Sequence, residues 1–265
     1  MRQPDGHDEF RRRFANWDGL RSVCLTFDVD FAPEFMIEDV LALLERTGAR
    51  ATFFATHASE ALAREAKRGF HEVGAHPNLA PGSTQPGEGA ESIVSLLREA
   101  YPQLMGNRFH LLAHSYRDLS TLARAGVAYD VSALRFNCPY VLPAWHADLE
   151  MTLLTYMWED GVCENAGHAM EVGSIDLDSP GLKIVNFHPM NVFINGSDGS
   201  ARREFMNTIT DLRECPRELA DKHRHVGPGA GDVLRGLLTA LSDRGVEFAT
   251  VGEMVGAFRS ESAYG

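Results

Sequence analysis

The sequence predicts an α/β fold, a deformed or incomplete (β/α) barrel of about seven parallel strands. Three observations predict it. Strand-like and helix-like patterns alternate along most of the 265 residues. The connections between strand patterns are long enough to be crossovers, as parallel pairing requires. Polar side chains able to carry protons or bind metal fall one after another at the C-terminal ends of the strands, where barrels keep their chemistry. No linker, repeat or low-complexity tract divides the chain, so one domain over 1–265 is expected, with an N-terminal extension over 1–20 compatible with helix.

The elements follow in order. "SVCLTFD" (22–28) is apolar and β-branched and reads as a buried strand. Pro33 near the start and Gly48 at the stop frame a helix in "PEFMIEDVLALLERTG". "ATFFAT" (51–56) predicts a second strand, "SEALAREAKRG" (59–69) a helix ending in glycine, and "FHEVGAH" (70–76) a shorter third strand. Prolines, glycines and serines make "PNLAPGSTQPGEG" a loop. "AESIVSLLREAY" is a helix, "FHLLAHS" (109–115) a strand, and "DLSTLARAG" a helix closing at Gly126. "VAYDVS" is a fifth strand candidate, and 134–180 is irregular with a strand at "MTLLTYMW". "LKIVNFHP" (182–189) reads clearly as a strand and 202–213 as helical, before "GDVLRGLLTALSDRG", "VEFAT" and "VGEMVGAF" close the chain as helix, strand and helix.

Composition excludes several function classes. The net charge of −12 argues against a generally basic nucleic-acid surface. No stretch approaches the roughly 18 apolar residues of a membrane span. The N-terminal "MRQPDGHDEFRRRF" has no apolar secretory core. Cys24, Cys138, Cys163 and Cys215 form no C-x-x-C pair, so neither a disulfide framework nor a thiolate zinc site is expected, and a reducing cytoplasm is the simplest home.

The first strand ends in two acids. Asp28 and Asp30, at i and i+2, share a face, and like charges that close cost free energy unless a cation, a proton or a substrate compensates. Later strands end at His76 in "VGAHPN", His114 in "LLAHS" and His188 in "IVNFHPM", where a proline stops the ladder. Glu159 and Asp160 in "MWEDG" read as turn acids, as do Asp176 and Asp178. His57, His71, His110, His146 and His168 have no supporting pattern, His223 and His225 look like loop residues, and Trp145 and Trp158 read as core.

At these residues the chain resembles the polysaccharide deacetylase superfamily, the NodB-homology enzymes. "LTFDVD" resembles their first motif, in which one acid is the general base and the next binds the metal. "RATFFATHASEALAREAKRGFHEVGAHPN" is similar to the next stretch, and "LKIVNFHP" to the last motif, whose histidine is the general acid. "HPNLAPGS" and "NFHPM" are similar to a bacterial branch met near surface-polysaccharide biosynthesis genes. The resemblance covers most of 22–255 and implies a deformed (β/α) barrel, a divalent metal with zinc the default, and N-deacetylation of an acetamido sugar. It implies Asp28 as general base, Asp30 and His76 as metal ligands, and His188 as general acid. Two departures stand out. The family's second histidine is replaced by Ala80, and "LLAHSYR" stands where an arginine and proline motif is usual. His114, by adjacency, is expected to complete the metal shell; Asn78, Ser83 or a water are the alternatives. Asp130 is expected to orient a histidine. The D-x-D also suits a haloacid-dehalogenase-type phosphatase, though Ala32 stands where that class wants Thr or Val, or a metal-dependent glycosyltransferase. A non-catalytic carbohydrate-binding barrel and a hydrolase of another non-peptide C–N bond are the further readings.

Overall fold

The computed structural model describes residues 22–179 and 181–261, so the 1–20 extension lies outside the described residues. The strands are β1 (Ser22–Asp28), β2 (Ala51–Ala55), β3 (Glu72–Ala75), β4 (Gly106–Asn107), β5 (Tyr129–Asp130), β6 (Ala144–His146), β7 (Met151–Leu153), β8 (Trp158–Glu159), β9 (Lys183–Phe187) and β10 (Glu247–Phe248). They form one curled sheet in the order β6-β7-β5-β4-β3-β2-β1-β9-β8, with β10 beside the start of β1. Every pairing is parallel except β6 with β7. This is a deformed, incomplete (β/α) barrel.

The crossovers follow local chemistry. In α1 (Glu34–Thr47), Met36, Ile37, Val40, Leu41 and Leu44 fall on one buried stripe, and Gly48 caps the end at φ 66°. In α2 (Glu60–Arg68), the Ser59 side chain accepts from Leu62 N, and Gly69 takes the left-handed C-cap. Helix α3 (Gly89–Ala100) follows the loop, and α4 (Tyr116–Arg124) opens on a reciprocal capping box between Ser115 and Asp118. The remaining helices are α5 (Asp160–Ala166), α6 (Pro189–Ile194), α7 (Gly199–Asn207), α8 (Arg217–Lys222), α9 (Ala230–Asp243) and α10 (Val251–Glu261).

Two expectations need correction. The strand expected at 109–115 is absent: β4 stops at Asn107, and His110–Leu112 form a 3-10 turn in which Leu111 and Leu112 have φ of 54° and 56°. Nothing in "HLL" is a customary turn residue, so the sequence concealed it. The "MTLLTYMW" strand is divided between β7, which pairs with β5, and β8, which pairs with β9. Between them, Leu154 N bonds to Asp130 O and Met157 N to Ile184 O, so one run of chain stitches the two sides of the curled sheet.

Register levels the strand ends. Asp28 pairs with Phe54, Ala55 with Ala75, Ala75 with Asn107 and Asn107 with Asp130. The ladder then runs one residue further, with Val29 N bonding to Phe54 O, His76 N to Ala55 O and Arg108 N to Ala75 O. The side-chain period of two sends Phe27, Phe53 and Phe187 to one face, where Phe27 and Phe53 stack at 4.9 Å. Thr26, Asp28 and Asn186 go to the other face, the barrel interior.

Candidate active site

Asp30 does not continue the strand. It and Phe31 adopt left-handed backbone (φ 46° and 60°), Ala32 N turns back to Val29 O, and Phe31 N is held by Thr56 Oγ1 at 2.9 Å. The turn brings Asp30 among three histidines. Its Oδ1 lies 3.1 Å from His76 Nε2 and 2.8 Å from His110 Nδ1, and its Oδ2 lies 3.6 Å from His188 Nε2. His76 Nε2 and His110 Nδ1 are 3.3 Å apart.

The His76 ring is fixed from behind, where its Nδ1–H donates to the Arg108 carbonyl at 2.7 Å. Its Nε2 then faces a carboxylate and a second imidazole nitrogen, and a proton or a cation must sit among them. Burial alone lowers the His76 pKa, but the Asp28 charge and the hydrogen bond and charge of Asp30 outweigh it and raise it. Burial likewise works against an ionised Asp30, yet hydrogen bonds from His110 and His76 and the charges of His188 and His110 hold its pKa well below the carboxylate range. Asp30, His76 and His110 offer ligand atoms all within 4.8 Å of one another.

Asp28 lies one layer deeper and is buried. Its Oδ1 accepts from Arg108 Nη1 at 2.9 Å and its Oδ2 from Asn186 Nδ2 at 3.0 Å. Arg108 is fully buried, with its guanidinium over the rings of Phe54 (4.5 Å) and Tyr156 (4.2 Å). Its Nη1 also donates to Asn186 Oδ1 at 2.6 Å and its Nε to Val131 O at 3.2 Å. The acid is therefore locked in orientation, with Oδ2 3.8 Å from His76 Nε2.

His188 ends β9 on the opposite side of Asp30. Asp160, the fully buried first residue of α5, receives the His188 backbone N–H at 2.9 Å on Oδ2 and lies 2.6 Å from Nδ1 through Oδ1. Burial lowers the His188 pKa, but the charge and hydrogen bond of Asp160, with Asp30 and Glu159 behind them, raise it well above the histidine value. These carboxylates favour the protonated ring, whose Nε2 lies 3.6 Å from Asp30 Oδ2. Glu159 is half-buried, and its Oε2 accepts from Tyr156 Oη at 2.5 Å.

Asp28, Asp30, His76 and His188 lie together, Asp28, His76 and His188 through their positions at strand ends and Asp30 through the turn after Val29. His114 does not join them. It is exposed, its ring stacks on Phe109 at 4.9 Å, and its Nδ1 lies 3.1 Å from Leu112 O. With no strand to deliver it, His114 passes outside the cluster, and the left-handed turn delivers His110 instead. Asn78 and Ser83 bond within their own loop, to Ala80 N and Gln85 N. That loop is lashed across the strand ends by buried Gln85, which donates to Thr56 O at 2.8 Å. Asp130 touches no histidine directly; it accepts from Asn107 and from Ser132, whose Oγ accepts from Phe109 N at 2.8 Å. It steadies the turn that presents His110.

The sequence reading missed Arg108, Asp160, Asn186 and His110. Arg108 directly follows β4, just ahead of "FHLLAHS", and its N–H carries the ladder one residue beyond the strand. Asp160, read as a turn acid, had one legible signal: it is the second of two acids that follow a strand-forming "MW".

A family model described as WbmS-like polysaccharide deacetylase matches residues 25–205. The chain belongs to that family. Among solved structures, the chain is similar to a Bordetella bronchiseptica protein, WbmS, described as a polysaccharide deacetylase involved in O-antigen biosynthesis. The identity is 25%, coverage is 87% of this chain and 93% of that one, and the TM-score is 0.73. A Mycobacterium smegmatis protein described as a polysaccharide deacetylase shares the fold at 14% identity, 94% coverage of each chain and a TM-score of 0.58. No curated protein matches the sequence. Membership in the WbmS-like family brings the deacetylase fold and carbohydrate context to the site just described. Among the described residues, no helix is long and apolar enough to cross a membrane.

Proposed function

We propose that the chain is a metal-dependent hydrolase that removes an acetyl group from the amide nitrogen of an N-acetylated sugar. The observation that carries this reading is the grouping of Asp30, His76 and His110 next to His188 and buried Asp28. The three donors fit a divalent ion. They are one carboxylate and two imidazole nitrogens, the ligand set of catalytic zinc sites, and one ring is already fixed with Nε2 inward. Zinc is the default ion, and when bound it supplies Lewis-acid polarisation of a carbonyl and a lowered pKa for water.

The chain's own groups do the rest. Asp28, oriented by Arg108 and Asn186, accepts the proton of the attacking water. His188, kept charged by Asp160, gives its proton to the departing nitrogen. Asp28 meets the ligand group at His76 and His188 meets it at Asp30, which suits a base and an acid that act in turn. The kinship with WbmS supports a surface-polysaccharide intermediate as the substrate, and a cytoplasmic setting agrees with a biosynthetic role. Metal analysis and acetate release from N-acetylated sugars test the reading: Asp28→Asn is expected to abolish turnover while keeping the metal content. Loss of both in that variant refutes the division of roles.

A further inference from the structure

Helices α5 and α6 carry the two ends of the contact between Asp160 and His188. Asp160 opens α5, and its Oδ1 also receives the Gly161 N–H at 2.6 Å, so the carboxylate moves with that helix. His188 is the N-cap of α6, a helix of six residues whose side chains are all buried. A helix that short keeps its direction through packing rather than through its own hydrogen bonds. One contact between two such helices works as a hinge: it fixes a point and leaves the crossing angle free.

A second contact removes that freedom. Glu164 stands one turn on from Asp160, about 6 Å along α5, and Asn191 stands three residues on from His188. Both are buried, Asn191 completely, and Asn191 Nδ2 donates to Glu164 Oε2 at 3.2 Å. The two atoms left over, Glu164 Oε1 and Asn191 Oδ1, are without partners among the described residues, and both are acceptors while the acid is ionised. A protonated Glu164 supplies the donor that this pair lacks. If packing were the only use of this space, apolar side chains of the same shape would fill it as well. Resting on the deacetylase reading, we infer that Glu164 and Asn191 are positioning residues for the proton donor. Their pair is a second rung between α5 and α6, and it fixes the angle at which Asp160 meets the His188 ring.

The test uses the full chain loaded with zinc and reads acetate release from N-acetylglucosamine, zinc content and one proton resonance. That resonance is the downfield His188 Nδ1–H held by Asp160 at 2.6 Å, identified by its loss in His188→Gln. The double variant Glu164→Leu, Asn191→Leu replaces both partners by apolar groups, so its melting temperature should stay close to wild type. Its His188 resonance is expected to move upfield and kcat to fall about tenfold or more, with KM and zinc content unchanged. Glu164→Gln, the conservative change, keeps a group that can bond Asn191 and should hold the resonance in place and recover kcat. If the double variant does not fold, Asn191→Ala is read in the same way. A wild-type resonance or a wild-type kcat in the cut variant overturns the rung, as does a Glu164→Gln that loses both. The parent reading is judged on wild type alone: it falls, and takes the inference with it, if that protein binds no zinc and releases no acetate.

Discussion

Glu164 lies on α5, one turn beyond Asp160, and is almost wholly buried. Its Oε2 accepts from Asn191 Nδ2 at 3.2 Å, while its Oε1 and the Asn191 Oδ1 are buried without partners among the described residues. A Cβ at Gly196 would collide with Oε1, so the carboxyl group packs directly against that glycine. Burial first, and then the charge of Asp160, push the Glu164 pKa up from 4.5 to about 8. Between those values the folded protein holds a proton that the unfolded chain has released. Stability therefore falls as pH rises from 4.5 to about 8, and levels off above. Multiplying the rise by 2.303RT gives a loss of ~5 kcal/mol across the window. Glu164→Gln keeps the shape and cannot ionise. Urea unfolding of both proteins at pH 5, 7 and 9 should show near-equal midpoints at pH 5 and a variant more stable by several kcal/mol at pH 9. Parallel pH profiles for the two proteins would refute the claim that Glu164 is folded as the neutral acid.

Two further outcomes probe the site itself. His110→Ala should strip the bound metal, measured by elemental analysis after dialysis, whereas His114→Ala should retain it; the opposite result restores the ligand assigned by adjacency. Asp160→Asn removes the charge that holds the His188 pKa up, so the alkaline limb of the rate profile should move to lower pH and turnover should drop by about a hundredfold or more. An unmoved alkaline limb means that His188 is not the proton donor.

Much of the fold and part of the site were legible in the sequence. Strand and helix periodicities placed β1, β2, β3 and β9 well, because those strands are mainly apolar runs of four to seven residues, bounded by glycine, proline or a capping serine. The polar groups at their ends, Asp28, Asp30, His76 and His188, followed from that placement. Beyond β3 the signal weakened. β4, β5 and β8 are two-residue strands; "VAYDVS" still marked β5, but β4 was missed and β8 was merged with β7. The residues after β4 and β8 include Arg108, His110 and Asp160. His110 was concealed most thoroughly, since a left-handed turn through two leucines contradicts every local preference. Asn186 was missed for another reason: a buried amide within a strand gains its meaning only from Thr26, Asp28 and Arg108, which are distant in sequence.

The stitched run from β7 to β8 separates two duties. Asp30 and His76 sit on the continuous side of the barrel, whereas Asp160 immediately follows the stitch and governs His188 from there. Under the proposed mechanism, editing that seam would retune how readily His188 gives up its proton while leaving Asp30, His76 and His110 as they are. Relatives acting on amines of different basicity should diverge there first.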